Sequence, residues 1–299
     1  MRKSKGLGIV SQILTILDTI CLGGYYFESA MSLRNSILVN GILYNSEVWY
    51  DLKEKDIKVL EQIDEILLRK LLNAHSKTPL EALYLELGCL PLRYIIKARR
   101  INYLHYLANQ NDDALLAKFF NAQLNSPLKS DWINTVKDDL IDLGMDFNIE
   151  NLKYVKKEAF KKEVKEKTTK AALQYLNDIS KKHSKMDYLK YESLTMQNYL
   201  KSTLISKFEA QKLFKFRTHM EDFKENFKNG SENLICTLCL EDEKVDSQSH
   251  FLNCIVMNKE VPKTKNKNIM DIYSEKEETN KEIIKILISA TKKKNELLS

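Results

Sequence analysis

In CTLCLEDEKVDSQSHFLNC, residues 236–254, a Cys-x-x-Cys pair is followed, after a ten-residue acidic loop, by His-x-x-x-Cys. The chain has five cysteines and five histidines, and four of these ten residues fall within this stretch. If Cys236, Cys239, His250 and Cys254 act together, two local segments must meet at one point, which constrains the fold more than any other pattern here. A redox pair would open a helix inside a βαβ unit, and no strand pattern surrounds this one. A disulfide is disfavoured by an odd cysteine count without a secretory leader. Coincidence would have to supply both paired spacings at once. A metal site explains all four residues.

Thiolates and imidazole suit Zn²⁺, which takes four such ligands tetrahedrally. Two cysteines two residues apart form a turn that directs both sulfurs at one point, and His250 and Cys254 share a face of one helical turn. Four protein ligands leave no open position, so the zinc expected here is structural. In so small a loop, metal binding would supply the folding free energy, on the order of 10 kcal/mol.

The remainder reads as mostly α. Gly and Pro number only eight and four in 299 residues, and Leu, Lys and Glu are abundant. In residues 7–22, Ile9, Ile13, Ile16, Leu17 and Ile20 take one helical face, opposite Ser11, Gln12, Thr15, Asp18 and Thr19. That is the pattern of an amphipathic core helix rather than of a signal peptide or membrane span, and Gly23-Gly24 should break it. An intracellular chain, nuclear or cytoplasmic, with no membrane contact is expected. A second helix is expected through SAMSLRNSILVNGILYNSEVWY. The next, DLKEKDIKVLEQIDEILLRKLLNAH, carries Leu60, Ile63, Leu67 and Leu71 on one stripe. Thr78 with Glu81 fits a capping box around Pro79, Gly88 a left-handed stop, and Pro91 the start of a further helix.

Charge is unevenly spread. Residues 151–230 hold 19 basic against 10 acidic residues, a net +9, whereas the segments on either side are slightly acidic. Such an excess suits a nucleic-acid contact, or simply a solvated face. The Lys-rich stretch reads as a solvated helix or a hinge between lobes. After it, Leu213, Phe216, Met220, Phe223 and Phe227 form one apolar helical stripe leading to the cysteines. The segments expected are a helical bundle over 1–145, a Lys-rich helical segment over 146–230, the CCHC zinc knuckle over 231–258, and a polar linker with a C-terminal helix over 259–299.

No catalytic pattern stands out, and no small-molecule substrate is implied. Asp112-Asp113 should begin a helix and Asp138-Asp139 lie on the polar side of another, both structural rather than metal-holding pairs. Cys21 and Cys89 fit buried thiols. His75, His105, His183 and His219 fit surface or capping roles.

The order of these pieces resembles the C-terminal part of non-LTR (LINE-type) retrotransposon reverse transcriptases, which are RNA-directed DNA polymerases. The resemblance is carried by KGLGIVSQI (5–13), ILYNSEVWY (42–50), LLRKLL (67–72), TPLEALYLELGCLPLRYIIKARRINYLHYL (78–107), SDW (130–132), FEAQKLFKFRTHMEDFKENF (208–227) and the cysteine cluster. It covers nearly the whole chain. The loop between Cys239 and His250 is longer than in the compact retroviral knuckle. The family's fingers, its palm with the Tyr/Phe-Ala-Asp-Asp motif, and its endonuclease are missing.

The resemblance implies a thumb, connecting helices and zinc knuckle without a catalytic centre, binding RNA or DNA and working beside other element-encoded proteins. It implies Lys207, Lys212, Lys215 and Arg217 as basic contacts beside the knuckle, Arg217 being alternatively paired with Glu221. Phe251 would stack on an unpaired base or pack under the zinc loop. Binding would be mostly phosphate-driven and salt-sensitive. Two alternatives stand: a helical scaffold that binds protein, and a mobile-element fragment without function, which should leave apolar surface exposed on helices 7–22 or 52–74.

Overall fold

The computed structural model describes residues 2–20, 24–125, 131–183, 191–221, 223–227, 234–241, 244–256 and 276–298. Among these the regular elements are helical, apart from one isolated antiparallel bridge between Ile235 and Val245. The protein is mostly α.

Helix α1 (Arg2–Ile20) buries Gly6, Val10, Ile13 and Leu17, spaced four, three and four residues apart, against α4. A Cβ at Gly6 would lie 2.8 Å from Ile63, so the helices meet closely there. The apolar face is narrower than expected, with Ile16 half-buried and Ile20 exposed. Cys21 and Gly23 lie outside the described residues. Helix α2 (Tyr26–Leu33) runs through a π-helical stretch, Arg34–Val39, into the short α3 (Asn40–Ile42), and a 3₁₀ turn follows at Ser46–Val48. At the π stretch, buried Arg34 donates from Nε and Nη2 to the two oxygens of Asp64, at 2.7 and 2.6 Å. Asp64 also accepts from the Tyr84 hydroxyl, and Arg34 donates to the Leu90 carbonyl. Paired forks of this kind are how a buried arginine retains its charge.

Helix α4 (Glu54–Leu72) buries the expected Leu60, Ile63, Leu67 and Leu71, together with Leu68 and Leu72. Helices α5 (Leu80–Leu87) and α6 (Leu92–Ala108) follow at the proline punctuation. Gly88 takes the left-handed stop, with φ +61° and the Cys89 amide donating back to the Tyr84 carbonyl. The capping box does not form. Thr78 is buried with its hydroxyl unpartnered, while its carbonyl accepts from Arg69, so packing rather than capping sets this turn.

Helices α7 (Leu115–Asn125), α8 (Trp132–Asp142) and α9 (Ile149–Tyr154) lead to the 24-residue α10 (Lys157–Ser180). The Asp131 side chain caps α8 by accepting from the Asn134 amide. Of the SDW stretch, Ser130 lies outside the described residues. Helix α10 buries Phe160, Val164, Thr168, Ala172, Leu176 and Ser180, one row at a strict spacing of four. It packs on α5 and α6, so the Lys-rich segment joins the helical body rather than hinging two lobes.

The short α11 (Asn198–Lys201) precedes α12 (Lys207–Arg217), and the chain continues through α13 (Lys224–Phe227), α14 (Gln248–Asn253) and α15 (Glu277–Leu298). Helix α12 packs on α4 and α15. One continuous core runs from Val10 to Leu287 and includes Cys236, Phe251 and Cys254. Residues 257–275, which hold most of the expected polar linker, lie outside the described set. No helix among the described residues is long and apolar enough to cross a membrane.

Candidate metal centre

The element that carries the centre is α12. Ser206 accepts from the Glu209 amide while Glu209 accepts from the Ser206 amide, a capping box that fixes the start of the helix. At its other end the Met220 amide donates to the Lys215 carbonyl at 2.8 Å and the His219 amide to the Phe216 carbonyl at 3.1 Å. With His219 at φ +53°, this is a Schellman stop. The stripe from Leu213 to Phe227 is therefore not one helix. The spacing is satisfied across a break: Leu213, Phe216 and Phe223 are buried, Met220 is half-buried, and the Phe227 side chain lies outside the described set.

Beyond α13, a short antiparallel ribbon forms. The Cys236 amide donates to the Lys244 carbonyl, and the Asp246 amide to the Leu234 carbonyl, each at 2.7 Å. The Leu240 amide returns to the Cys236 carbonyl at 3.0 Å, closing the Cys-x-x-Cys turn with Leu240 at φ +56°. The Ser247 hydroxyl accepts from the His250 amide at 3.1 Å and so starts α14. That single turn presents His250 and Cys254 together.

The four ligand atoms of Cys236, Cys239, His250 and Cys254 lie within 4.8 Å of one another. Cys239 Sγ and His250 Nε2 are 3.4 Å apart. For Zn–S bonds of about 2.3 Å, a tetrahedron has edges of about 3.8 Å, so the cluster has the dimensions of a metal site. Cys236 and Cys254 are buried, and Cys239 and His250 half-buried. Burial pushes the Cys236 thiol up, opposed by the Cys239 and Leu238 amides, which point at its sulfur. Burial, with Lys244 nearby, holds His250 below its ordinary value, the neutral imidazole that a metal requires. The four residues can hold a metal ion.

The ribbon is braced on the helical body. Phe251, only 4% exposed, sits 5.8 Å from Phe216 and 5.3 Å from Phe223, ring centre to ring centre. It therefore packs under the loop and is not available to stack on a base. Lys224 donates from Nζ to the Ile235 carbonyl, and its amide to the Asp246 side chain, tying α13 to the ribbon.

The basic residues named from sequence divide. Arg217 is 3% exposed and bonded to Glu86 of α5, so neither a phosphate nor Glu221 is its partner in this ion pair. Lys212 pairs instead with Glu221. Lys207 bonds Asp18 at 3.1 Å and lies over the Tyr26 ring. Lys215 is half-buried and holds no ion pair among the described residues. Seven exposed lysines of the basic segment are on α10 or just before it, at 153, 156, 157, 161, 162, 165 and 170, and Lys181, Lys182 and Lys201 are exposed beyond it. On α10 the exposure follows from its narrow buried row, whose spacing of four is present in the sequence.

The aspartate pairs do not converge on a site. Asp112 and Asp113 are exposed in the turn before α7. Asp138 is exposed, but Asp139 is buried rather than on a polar face, and accepts from Arg100 Nε and Nη2 at 2.6 and 2.9 Å. Cys89 is buried, as expected. His105 departs from its surface role: it is buried, stacks on Phe160 and bonds the Val155 carbonyl. Comparison with family models, curated proteins and solved structures finds no match to this chain.

Proposed function

We propose that this chain is a zinc-containing, helical nucleic-acid-binding protein corresponding to the thumb, connecting helices and knuckle of a non-LTR reverse transcriptase. The observation that carries this reading is the convergence of three thiols and one imidazole on a ribbon braced against α12. Three soft sulfurs and a nitrogen favour zinc among the divalent ions, and four protein ligands favour a structural role over a catalytic one. Cys236 and Cys239 would hold the ion from the turn, His250 Nε2 and Cys254 from α14, while Phe251 couples the loop to the core. The exposed lysines of α10 supply a basic face, suited to phosphate-driven binding of RNA or DNA inside the cell.

The test is metal content of the purified chain, alongside RNA and DNA binding, for the natural sequence and Cys239→Ser. One zinc per chain, lost in the variant, supports the metal assignment; absence of zinc and of any bound metal overturns it. Salt-dependent binding supports the nucleic-acid reading, and its absence at low salt overturns that part.

A second reading, a helical scaffold for protein partners, is favoured by a cavity of about 340 Å³ lined by Val48, Tyr50, Leu116, Phe119 and Trp132, with Phe119 exposed. Binding to nucleic acid that falls steeply with salt separates the two. The fragment reading is less favoured, since the apolar stripes of α1 and α4 are buried within the chain itself.

A further inference from the structure

Between α6 and the start of α10 lies a second cavity of about 340 Å³, within the range of about 300–1,000 Å³ that ligand pockets occupy. Its lining combines three chemistries. Tyr106 offers an aromatic ring that is 48% exposed and held by stacking on Tyr103, at 5.7 Å and 19° between planes. Lys156, Lys157 and Lys161 are exposed and hold no ion pair among the described residues. Asn102 contributes a buried carbonyl oxygen, Oδ1, that has no hydrogen-bond partner, while its amide donates to Ala98.

The position of the lysines follows from the local fold. Buried His105 stacks on Phe160, ring centres 4.6 Å apart, and bonds the Val155 carbonyl at 2.9 Å, which fixes the entry of α10 beside α6. Lys156 occupies the cap position of α10 and makes no side-chain cap, so the first-turn amides of a 24-residue helix stand without one. Those amides and the three lysines favour an anion at the same end. Glu158 is exposed on that turn but does not line the cavity.

We infer that this cavity takes one nucleotide of a single strand, its base against the Tyr106 ring and its phosphate at Lys156, Lys157 and Lys161. The inference rests on the nucleic-acid reading above and moves the base contact from the metal loop to α6. An aromatic face accepts any base, so little preference among bases is expected.

The test uses the full, metal-loaded chain and fluorescein-labelled single-stranded 12-mers, oligo(rA) and oligo(dA), with binding followed by anisotropy across a salt series. Tyr106→Ala should weaken binding about 5-fold or more, and Tyr106→Phe should restore it, since stacking on one aromatic contributes ~1–3 kcal/mol. The double variant Lys157→Ala with Lys161→Ala should lower the salt slope by about 0.7, the value for one phosphate contact on a single strand. These side chains are exposed, and circular dichroism checks that each variant folds. If the natural chain binds and all pocket variants match it, the inference is overturned while the nucleic-acid reading stands. If the natural chain binds neither strand, that reading fails and this one with it.

Discussion

Arg217, the last residue of α12, donates from Nε to Oε1 of Glu86 in α5 across 2.9 Å, with both side chains buried. The Tyr191 and Tyr199 hydroxyls donate to the same carboxylate, at 2.6 and 2.9 Å, and the guanidinium lies over the Tyr199 ring. Burial opposes the charge of Arg217, and Glu86 with the two tyrosines outweighs it, holding the arginine well above its ordinary range. This cluster joins the first helical segment to the helix that bears the metal ribbon.

Arg217→Met removes one partner of a buried pair and leaves Glu86 with only neutral donors. A loss of about 3–5 kcal/mol is expected, measured as a shift of the urea unfolding midpoint. Because Arg217 makes no surface contact, the salt slope of any nucleic-acid binding should not change where the variant stays folded. A midpoint within about 0.5 kcal/mol of the natural chain would mean that the pair is not formed.

Gly88 and Gly144 have nearly the same backbone angle, φ +61° and +62°, but different surroundings. A Cβ on Gly88 would fall 2.0 Å from the Met196 amide nitrogen and 2.1 Å from the Thr195 carbonyl carbon, whereas one on Gly144 meets nothing within 4 Å. Gly144→Ala should therefore cost only the left-handed strain, about 1–2 kcal/mol. Gly88→Ala adds displacement of the 195–196 backbone and should cost at least ~2 kcal/mol more. Thermal or urea unfolding of the two variants makes the comparison, and equal losses would contradict the close approach.

What could be read in advance follows from range along the chain. The stripe Leu60, Ile63, Leu67 and Leu71 and the ligand set at 236–254 are local patterns, where periodicity or spacing alone carries the information. The partner of Arg217 lies 131 positions away, so nothing near Arg217 distinguishes a core arginine from a phosphate contact. Phe251 likewise depends on Phe216 and Phe223 arriving from the preceding segment. The stop at His219 leaves no gap in the pattern, because Leu213, Phe216 and Phe223 keep helical spacing across it and neither glycine nor asparagine marks the left-handed position. Asp139 was concealed by its charge: beside exposed Asp138 it looks solvated until Arg100 is brought against it.

Thiol chemistry offers a residue-resolved check of the metal centre. Burial pushes the Cys89 thiol up to about 12, so it should resist iodoacetamide at pH 8 with or without metal. Cys236, Cys239 and Cys254 should be protected in the metal-loaded chain and become alkylated after a strong chelator opens the ribbon. Peptide mass spectrometry separates the sites. Labelling of Cys89 together with the other three would indicate global unfolding rather than local opening of 234–256.

Leu240, directly after Cys239, has φ +56° and a side chain 71% exposed. A leucine in the left-handed region is strained by about 1–2 kcal/mol, and here exposure returns little packing in compensation. The turn adopts it because the Leu240 amide must reach the Cys236 carbonyl while Cys236 and Cys239 face one point. Leu240→Gly removes the strain and, partly offset by the greater freedom of glycine in the unfolded loop, should stabilise the closed turn by roughly 0.5–1 kcal/mol. Since only the closed turn holds the ion, metal affinity should rise about 2–5-fold, the equilibrium change for that energy. Competition with a chromophoric zinc chelator measures this directly. Leu240→Ala provides the control: it shortens the same exposed side chain without permitting the backbone angle, and should leave affinity near that of the natural chain. A gain in the alanine variant equal to that in the glycine variant would trace the effect to the lost leucine side chain, and the strained turn would not be its cause.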